Sequence, residues 1–390
     1  MPPLWSSDVQ TLPPGGVEDV AREWIGLPVR FPPRPGETID GFRILRRLYN
    51  GLQGTVLAAV DDTNGREVAL KFPDPLATAD PAWLERFARK EWAGLKMRHP
   101  NVVRVISQPP GRRSACYYVL EFLEGQTLTA TLAMDRPTPE QVANWLRQAA
   151  RGVLALHRRG LVHRDIKPDN LFLCREGRVV VVDFGTVRIE GLPPIAAHQP
   201  GRQVVGGTPG FMAPELYAGE RGTPASDIFA LGVTGYWLLT GHMPYGTPEP
   251  PLTPRFDPPP LLTELRADIP PTLAAALERC LSPTITARPG DVGELLAWLD
   301  TPALLDPPPL RALGGAPTAT VLPCRVLGNG HFVRGRFAEM LRRSFVRPMK
   351  VCASNATAPI IFFGHILAGN SRRPLWEGGA RTARTPFVKA

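Results

Sequence analysis

Asp165, Lys167 and Asn170 lie close together in the run His163-Arg164-Asp165-Ile166-Lys167-Pro168-Asp169-Asn170, and Asp183 follows thirteen residues after Asn170, in Asp183-Phe184-Gly185. Two carboxylates, an ammonium and an amide at this spacing suit the transfer of a phosphoryl group. That reaction asks for little covalent chemistry; it asks for positioning and for neutralisation of charge around the transferred group. A carboxylate has to orient the attacking hydroxyl, a cation has to meet the phosphate, and hard oxygen ligands have to hold a divalent ion. Asp165 can be the first and Lys167 the second. The Asn170 amide oxygen with the Asp183 carboxylate can be the third.

Taken singly the motifs are weak. His-Arg-Asp alone reads as a solvated turn, and Asp-Phe-Gly arises at the end of any strand, here after the apolar run Val179 to Val182. Together, in order and at this spacing, they resemble the protein kinases. Lys167, two residues after Asp165, points to the serine/threonine kinases of bacterial type. The resemblance runs over about residues 42–299, roughly two-thirds of the chain. It implies an α+β, bilobal protein-kinase fold: a small N-lobe of antiparallel sheet with one main helix, and a larger, mostly helical C-lobe. The implied division is a Pro/Gly-rich extension over 1–41, a kinase domain over 42–300 (lobes 42–123 and 124–300), and a Pro-rich linker and basic tail over 301–390.

The elements that must position these groups can be read in order. Residues 1–36 are rich in Pro and Gly, with one short helical candidate from Val17 to Ile25 whose Trp24 either packs on the small lobe or stays free. From Gly41 the pattern alternates as β-structure: Phe42 to Leu45, Thr55 to Val60 and Glu67 to Phe72, with a hairpin turn at Asp62-Thr63-Asn64-Gly65. Between the first two strands, Leu48-Tyr49-Asn50-Gly51-Leu52-Gln53-Gly54-Thr55-Val56 fits the second half of the family's glycine-rich pattern through Gly51, Gly54 and Val56. Tyr49 stands where the first glycine is expected. Lys71 sits in an apolar strand, where an ammonium needs a carboxylate or phosphate partner. Ala82 to Met97 reads as a helix, and Glu91 is the carboxylate expected to pair Lys71, with Glu85 as the alternative nearer the helix start. Val102 to Ile106 and Tyr117 to Phe122 supply two more strands. Glu121-Phe122-Leu123 resembles the hinge whose backbone meets adenine, with Leu120 at the back and Val56, Ala69 and Phe172 around the ring.

The second lobe opens at Gln126-Thr127-Leu128. A long helix follows from Pro139 to Arg159, apolar at Val142, Leu146, Ala149, Val153 and Leu156. Asp183 to Glu215 is the activation segment, closed by Ala213-Pro214-Glu215. Asp227 resembles the buried aspartate that tethers the catalytic loop, and Arg288 the arginine that pairs Glu215. In similar kinases Arg164 meets a phosphate on the activation segment. This segment offers only Thr186 and Thr208 as Ser/Thr hydroxyls and has no tyrosine. Thr208 matches the threonine that bonds Asp165 and Lys167, so Arg164 is expected to hold backbone carbonyls or Glu190 instead.

Composition bounds the rest. The apolar fraction of 43% is ample for a buried core, and the 45 prolines cluster at the ends and in 248–260 and 302–309. The five cysteines (Cys116, Cys174, Cys280, Cys324, Cys352) show no paired spacing and read as reduced thiols, which with the absence of a signal segment or an 18-residue apolar run leads to a cytoplasmic expectation. Net charge is +9, but in residues 311–390 thirteen Lys and Arg face only Glu339 and Glu377, a net of +11, which leaves the remainder at −2. Two readings of that tail stand: a disordered basic tail, with an amphipathic helix candidate over 334–347, or a contact to an acidic partner, a nucleic acid or a membrane surface. The resemblance implies ATP with Mg²⁺, or Mn²⁺ in its place, and protein substrates carrying Ser/Thr hydroxyls. Two other functions compete: a kinase-fold scaffold acting by binding alone, which the intact Lys71, Asp165, Asn170 and Asp183 disfavour, and a small-molecule phosphotransferase, which the full segment from Gly207-Thr208-Pro209 to Glu215 disfavours.

Overall fold

A computed structural model describes residues 24, 26–51, 54–74, 81–184, 186–192, 207–246 and 255–300. The chain separates into two units, Met1–Arg311 and Ala312–Ala390, and all the described residues lie in the first. Apart from Trp24, the candidate helix over 17–25 lies outside the described residues, as do the linker, the 334–347 helix and the basic tail.

The smaller lobe is an antiparallel sheet of β1 (Thr38–Ile39), β2 (Phe42–Gly51), β3 (Gly54–Asp61), β4 (Arg66–Phe72), β5 (Val105–Ile106) and β6 (Tyr118–Glu121), in the order β1-β2-β3-β4-β6-β5. The β3–β4 hairpin is set by Asp61, whose carboxylate accepts from the Thr63 N–H and hydroxyl and from the Asn64 amide, while Gly65 takes the left-handed φ of +69°. Strand alternation then sorts the side chains. Phe42, Ile44, Leu57, Val68, Leu70, Phe72, Tyr117 and Val119 build one hydrophobic face. Val56 pairs Lys71, Lys71 pairs Tyr118, and Ala69 pairs Leu120, so these five share the other face.

Helix α1 (Pro81–Leu95) lies in this lobe; Phe87, Ala88 and Ala93 are buried in a cluster with Met97, Val105 and Tyr118. The chain that leaves it is stitched to the larger lobe. Asn101 Nδ2 donates to the Val179 carbonyl at 2.8 Å, Val181 N–H donates to the Asn101 carbonyl, and Val103 N–H donates to the Val181 carbonyl. The expected strand from Val102 to Ile106 is accordingly shorter, because its first half pairs with Val181 across the lobes.

The larger lobe is mostly helical. After β7 (Gly125–Thr127) come α2 (Leu128–Met134) and α3 (Pro139–His157). Thr138 and Gln141 form a capping box at the start of α3, and Pro139 fits its first turn. The five apolar positions expected on this helix, Val142, Leu146, Ala149, Val153 and Leu156, are all buried. Then follow β8 (Leu161–Val162), β9 (Leu171–Cys174), β10 (Val179–Val181), β11 (Arg188–Ile189), α4 (Pro214–Tyr217) and α5 (Pro224–Thr240). The last helices are α6 (Leu262–Leu265), α7 (Pro271–Cys280) and α8 (Val292–Asp300). Of the 17 residues in α5, 13 are buried, so it is a core helix with almost no solvent face. Its neighbours come close enough that a Cβ on Gly235 would lie 2.8 Å from both Leu146 and Leu277. The architecture is the bilobal α+β fold expected from the motifs. Among the described residues no helix is long and apolar enough to cross a membrane.

Candidate active site

The catalytic-loop motif spans the gap between β8 and β9, ending in a 3-10 turn over Pro168–Asn170. Its backbone bends sharply, with Arg164 at a φ of +63°, a left-handed conformation uncommon for a side chain of this size. Asp227, from the first turn of α5, holds that bend. One carboxylate oxygen accepts from Arg164 N–H at 2.7 Å, and the other from His163 N–H and the His157 ring, each at 2.8 Å. Burial pushes the Asp227 carboxyl up, but His157, His163 and the Arg164 N–H outweigh it and hold the group below the usual carboxylate range.

The bend presents Asp165. Its Oδ1 accepts from the Thr208 hydroxyl at 2.6 Å; its Oδ2 accepts from Asn170 Nδ2 at 3.0 Å and faces Lys167 Nζ at 3.2 Å. Lys167 also donates to Thr208, which closes a triangle of Asp165, Lys167 and Thr208. Asn170 Nδ2 donates to the Asp165 carbonyl as well, so its amide oxygen is the atom left to coordinate a cation. The β9–β10 register sets Leu171 opposite Val181, and Val182 N–H donates to the Asn170 carbonyl, so Asn170 and Asp183 emerge at the same end of one hairpin.

Asp183, at a φ of +65°, meets Lys71 across the lobes at 2.8 Å. Lys71 is buried and the Asp183 side chain is 20% exposed, and removal from water disfavours both charges. Their mutual attraction wins, holding the Asp183 carboxyl far below and the Lys71 ammonium above their usual ranges. Tyr118, itself buried, lies opposite Lys71 on the β4–β6 ladder. Tyr118 was not anticipated as a site residue, although a phenol in an apolar strand signals a need for a polar partner.

Glu91 departs from expectation. Lys71 is partnered by Asp183, whereas Glu91 accepts from Trp24 Nε1 at 2.8 Å and from Arg113 Nη1 at 2.9 Å. Glu91 is fully buried, and a buried carboxylate settles on whichever donors reach it. Here the donors come from the N-terminal segment and the approach to β6, which periodicity within α1 does not reveal. The alternative, Glu85, pairs Arg89.

The expected nucleotide pocket is partly assembled. Leu120, Leu123 and Phe172 pack into one cluster beside Phe184, and Val56 and Ala69 lie on the same sheet face as Lys71. Glu121 ends β6, with its backbone N–H donating to Arg104; Leu123 lies past the strand's end. Gly51 and Gly54 face one another where β2 turns into β3, and a Cβ on Gly54 would come within 2.0 Å of the Phe72 carbonyl, so no other residue fits there without a shift. Leu48 falls in the irregular register between Arg47 and Tyr49 and is exposed. Leu52, Gln53 and Gly185 lie outside the described residues.

Around the site, Arg164 donates through Nε to the Thr186 carbonyl at 2.6 Å and through Nη1 to the Arg221 carbonyl at 3.3 Å. Arg288 clasps Glu215 with two bonds, Nη1 to Oε1 at 2.8 Å and Nη2 to Oε2 at 2.9 Å. The donor set suits a hard divalent ion that takes its remaining ligands from phosphate and water: one carboxylate, Asp183, and one amide oxygen, Asn170. Among the described residues no cluster of three or more His, Cys, Asp or Glu could hold a metal by protein ligands alone.

Residues 42–290 match the protein kinase domain family. The chain is 34% identical over 252 residues to the serine/threonine-protein kinase PknA of Mycobacterium tuberculosis, covering 60% of this chain and 57% of that protein. It is 35% identical over 217 residues to the serine/threonine-protein kinase pkn2 of Myxococcus xanthus, covering 54% of this chain and 26% of that one. The chain therefore spans little more than half the length of the first of these relatives. Among solved structures it is similar to the Mycobacterium tuberculosis PknI kinase domain, with a TM-score of 0.53 and 25% identity, over 69% of this chain and 98% of that one.

Proposed function

As the chain belongs to the protein kinase family, we propose that it is a serine/threonine protein kinase, passing the γ-phosphoryl group of ATP to hydroxyls of protein substrates. The observation that carries this reading is the Asp165–Lys167–Thr208 triangle together with the Lys71–Asp183 pair. A hydroxyl already donates to Asp165 Oδ1, which supports an acceptor hydroxyl being oriented the same way. Asp165 turns that oxygen toward the phosphorus and takes its proton late, while Lys167 meets charge on the transferred group. Lys71 leaves Asp183 for the ATP phosphates, where a fixed ammonium replaces water. Gly51 and Gly54 let backbone amides approach those phosphates. Leu48, Val56, Ala69, Leu120 and Phe172 enclose the adenine, and the backbone of Glu121 and Leu123 bonds its edge.

Asn170 and Asp183 would hold Mg²⁺, or Mn²⁺, which when bound neutralises charge gathering on the phosphates. The scaffold alternative is disfavoured because Lys71, Asp165, Asn170 and Asp183 converge within one cleft. The test is to incubate the purified chain, and separately its Asp165→Asn variant, with labelled ATP and a general protein acceptor. The wild-type chain labels the acceptor on Ser or Thr, and the variant loses roughly 10²–10⁴ of the rate. Equal labelling by the two proteins overturns the mechanism.

A further inference from the structure

We infer that Trp24 is a positioning residue for the proposed transfer: with Arg113 it holds Glu91 away from Lys71, and its release lets Glu91 complete the ATP site. The inference rests on the kinase reading, in which a carboxylate on α1 pairs the Lys71 ammonium that grips the phosphates. In this structure the two halves of that pair are engaged elsewhere. Lys71 bonds Asp183, while Glu91 accepts from Trp24 Nε1 and Arg113 Nη1.

The Trp24 contact is a built one. The indole is 2% exposed, meets the Phe87 ring of α1 edge-on at 5.0 Å, and lies under the Arg113 guanidinium at 5.6 Å. Arg113 is fixed in turn by donating to the Tyr117 carbonyl at 3.0 Å. The chain just after Trp24 is pinned as well, since Cys116 N–H donates to the Pro28 carbonyl and Cys116 Sγ to the Leu27 carbonyl. A segment outside the kinase motifs thus supplies an N–H donor to a buried carboxylate on the lobe's main helix. Tyr118 lies directly across the β4–β6 ladder from Lys71.

Two arrangements of the same groups follow. In one, Glu91 lies on Trp24 and Arg113 with Lys71 on Asp183; in the other, Glu91 lies on Lys71. Each satisfies the buried carboxylate, so the balance between them is set by individual hydrogen bonds, and a bond to a charged acceptor shifts such a balance by about tenfold or more. Trp24→Phe keeps an aromatic ring against Phe87 and deletes the N–H together with part of the indole.

The experiment uses the full chain. Trp24→Phe is compared with wild type for kcat and for the KM of ATP, and the Trp24 indole N–H is followed by NMR in the wild type as Mg·ATP is added, its signal assigned by its loss in the variant. The expected result is a severalfold to tenfold fall in KM for ATP, with a smaller change in kcat, and an indole signal that shifts as nucleotide binds. If the wild type transfers phosphate while Trp24→Phe leaves KM unchanged or raises it, the latch is wrong and the kinase reading stands. If the variant does not fold, the indole decides alone, with wild-type assignment made instead by Trp24→Tyr: a signal indifferent to saturating Mg·ATP overturns the latch. A wild-type chain that neither binds nor transfers fails the kinase reading itself, and the latch falls with it.

Discussion

Replacing Arg288 by Met is expected to destabilise the larger lobe without touching any group that meets substrate. The Arg288 and Glu215 side chains are almost wholly buried and joined by two parallel bonds of 2.8 and 2.9 Å. Arg288 also donates to the Ser282, Ala225 and Pro283 carbonyls and lies 5.0 Å over the Phe229 ring. Removing one partner of a buried pair leaves the other charge uncompensated, which costs about 3–5 kcal/mol. For a folded body of this size that becomes a fall in Tm of roughly 6–20 °C. Burial alone would raise the Glu215 carboxyl, but Arg288 and the Ser226 hydroxyl outweigh it and hold it below its usual value. Because its folded pKa is depressed, the stabilisation is complete above the unfolded pKa of about 4.5 and is lost as pH falls through the folded value. The gap in Tm between wild type and Arg288→Met should therefore be full at pH 7 and shrink below about pH 4. Glu215→Gln in the Arg288→Met background should recover part of the loss, since the stranded charge is then gone. Thermal melts of wild type, Arg288→Met, Glu215→Gln and the double variant across pH make the measurement. An Arg288→Met protein melting within about 2 °C of wild type at pH 7 would refute the reasoning, as would a double variant whose losses simply add.

Lys71→Met and Asp183→Asn should each lower transfer by roughly 10²-fold or more while the chain remains folded by circular dichroism; wild-type rates in either would count against their assigned roles. Thr208→Val should slow transfer more than Thr208→Ser, because only serine keeps a hydroxyl between Asp165 and Lys167; comparable rates for the two would show that the triangle is dispensable. Activation-segment phosphorylation should not be required, since Arg164 already bonds the Thr186 and Arg221 carbonyls. The check is to strip phosphate, confirm its loss by mass spectrometry, and time the first turnovers; activity that returns only with phosphate on Thr186 or Thr208 would be the contrary result.

What the sequence made legible follows from how local its determinants are. The β3–β4 hairpin is written in four turn residues, and the α3 stripe in its 3.6-residue repeat, so both were readable. Asp227, Glu215 and Arg288 could be singled out because motif spacing marks them, and the structure bonds Asp227 to the catalytic loop and Arg288 to Glu215. His157 was unreadable as a partner of Asp227, since its role depends on α3 and α5 packing side by side. Glu91 shows the limit most plainly. Helical phase turns it inward, but which donor meets it there depends on Trp24 and Arg113, 67 residues before it and 22 after it. Likewise, nothing in the alternation of β6 says that Tyr118 lies opposite Lys71; that is a matter of register.

The bonds from Asn101 and Val103 to the β9–β10 hairpin give α1 a fixed hinge point at its C-terminal end. A rigid helix swinging about that anchor is displaced further the farther a residue lies from it. Glu91 stands four residues before Leu95, or about 6 Å along the axis at 1.5 Å per residue. A swing of about 20° would carry its backbone only about 2 Å, less than the length of a hydrogen bond, with the rest of the reach left to side-chain rotation. The outer turns of α1 would sweep a wider arc for the same rotation. An exchange of partners at Glu91 would therefore be amplified at the helix's N-terminal end, where a spectroscopic label should report it more strongly than one near Leu95.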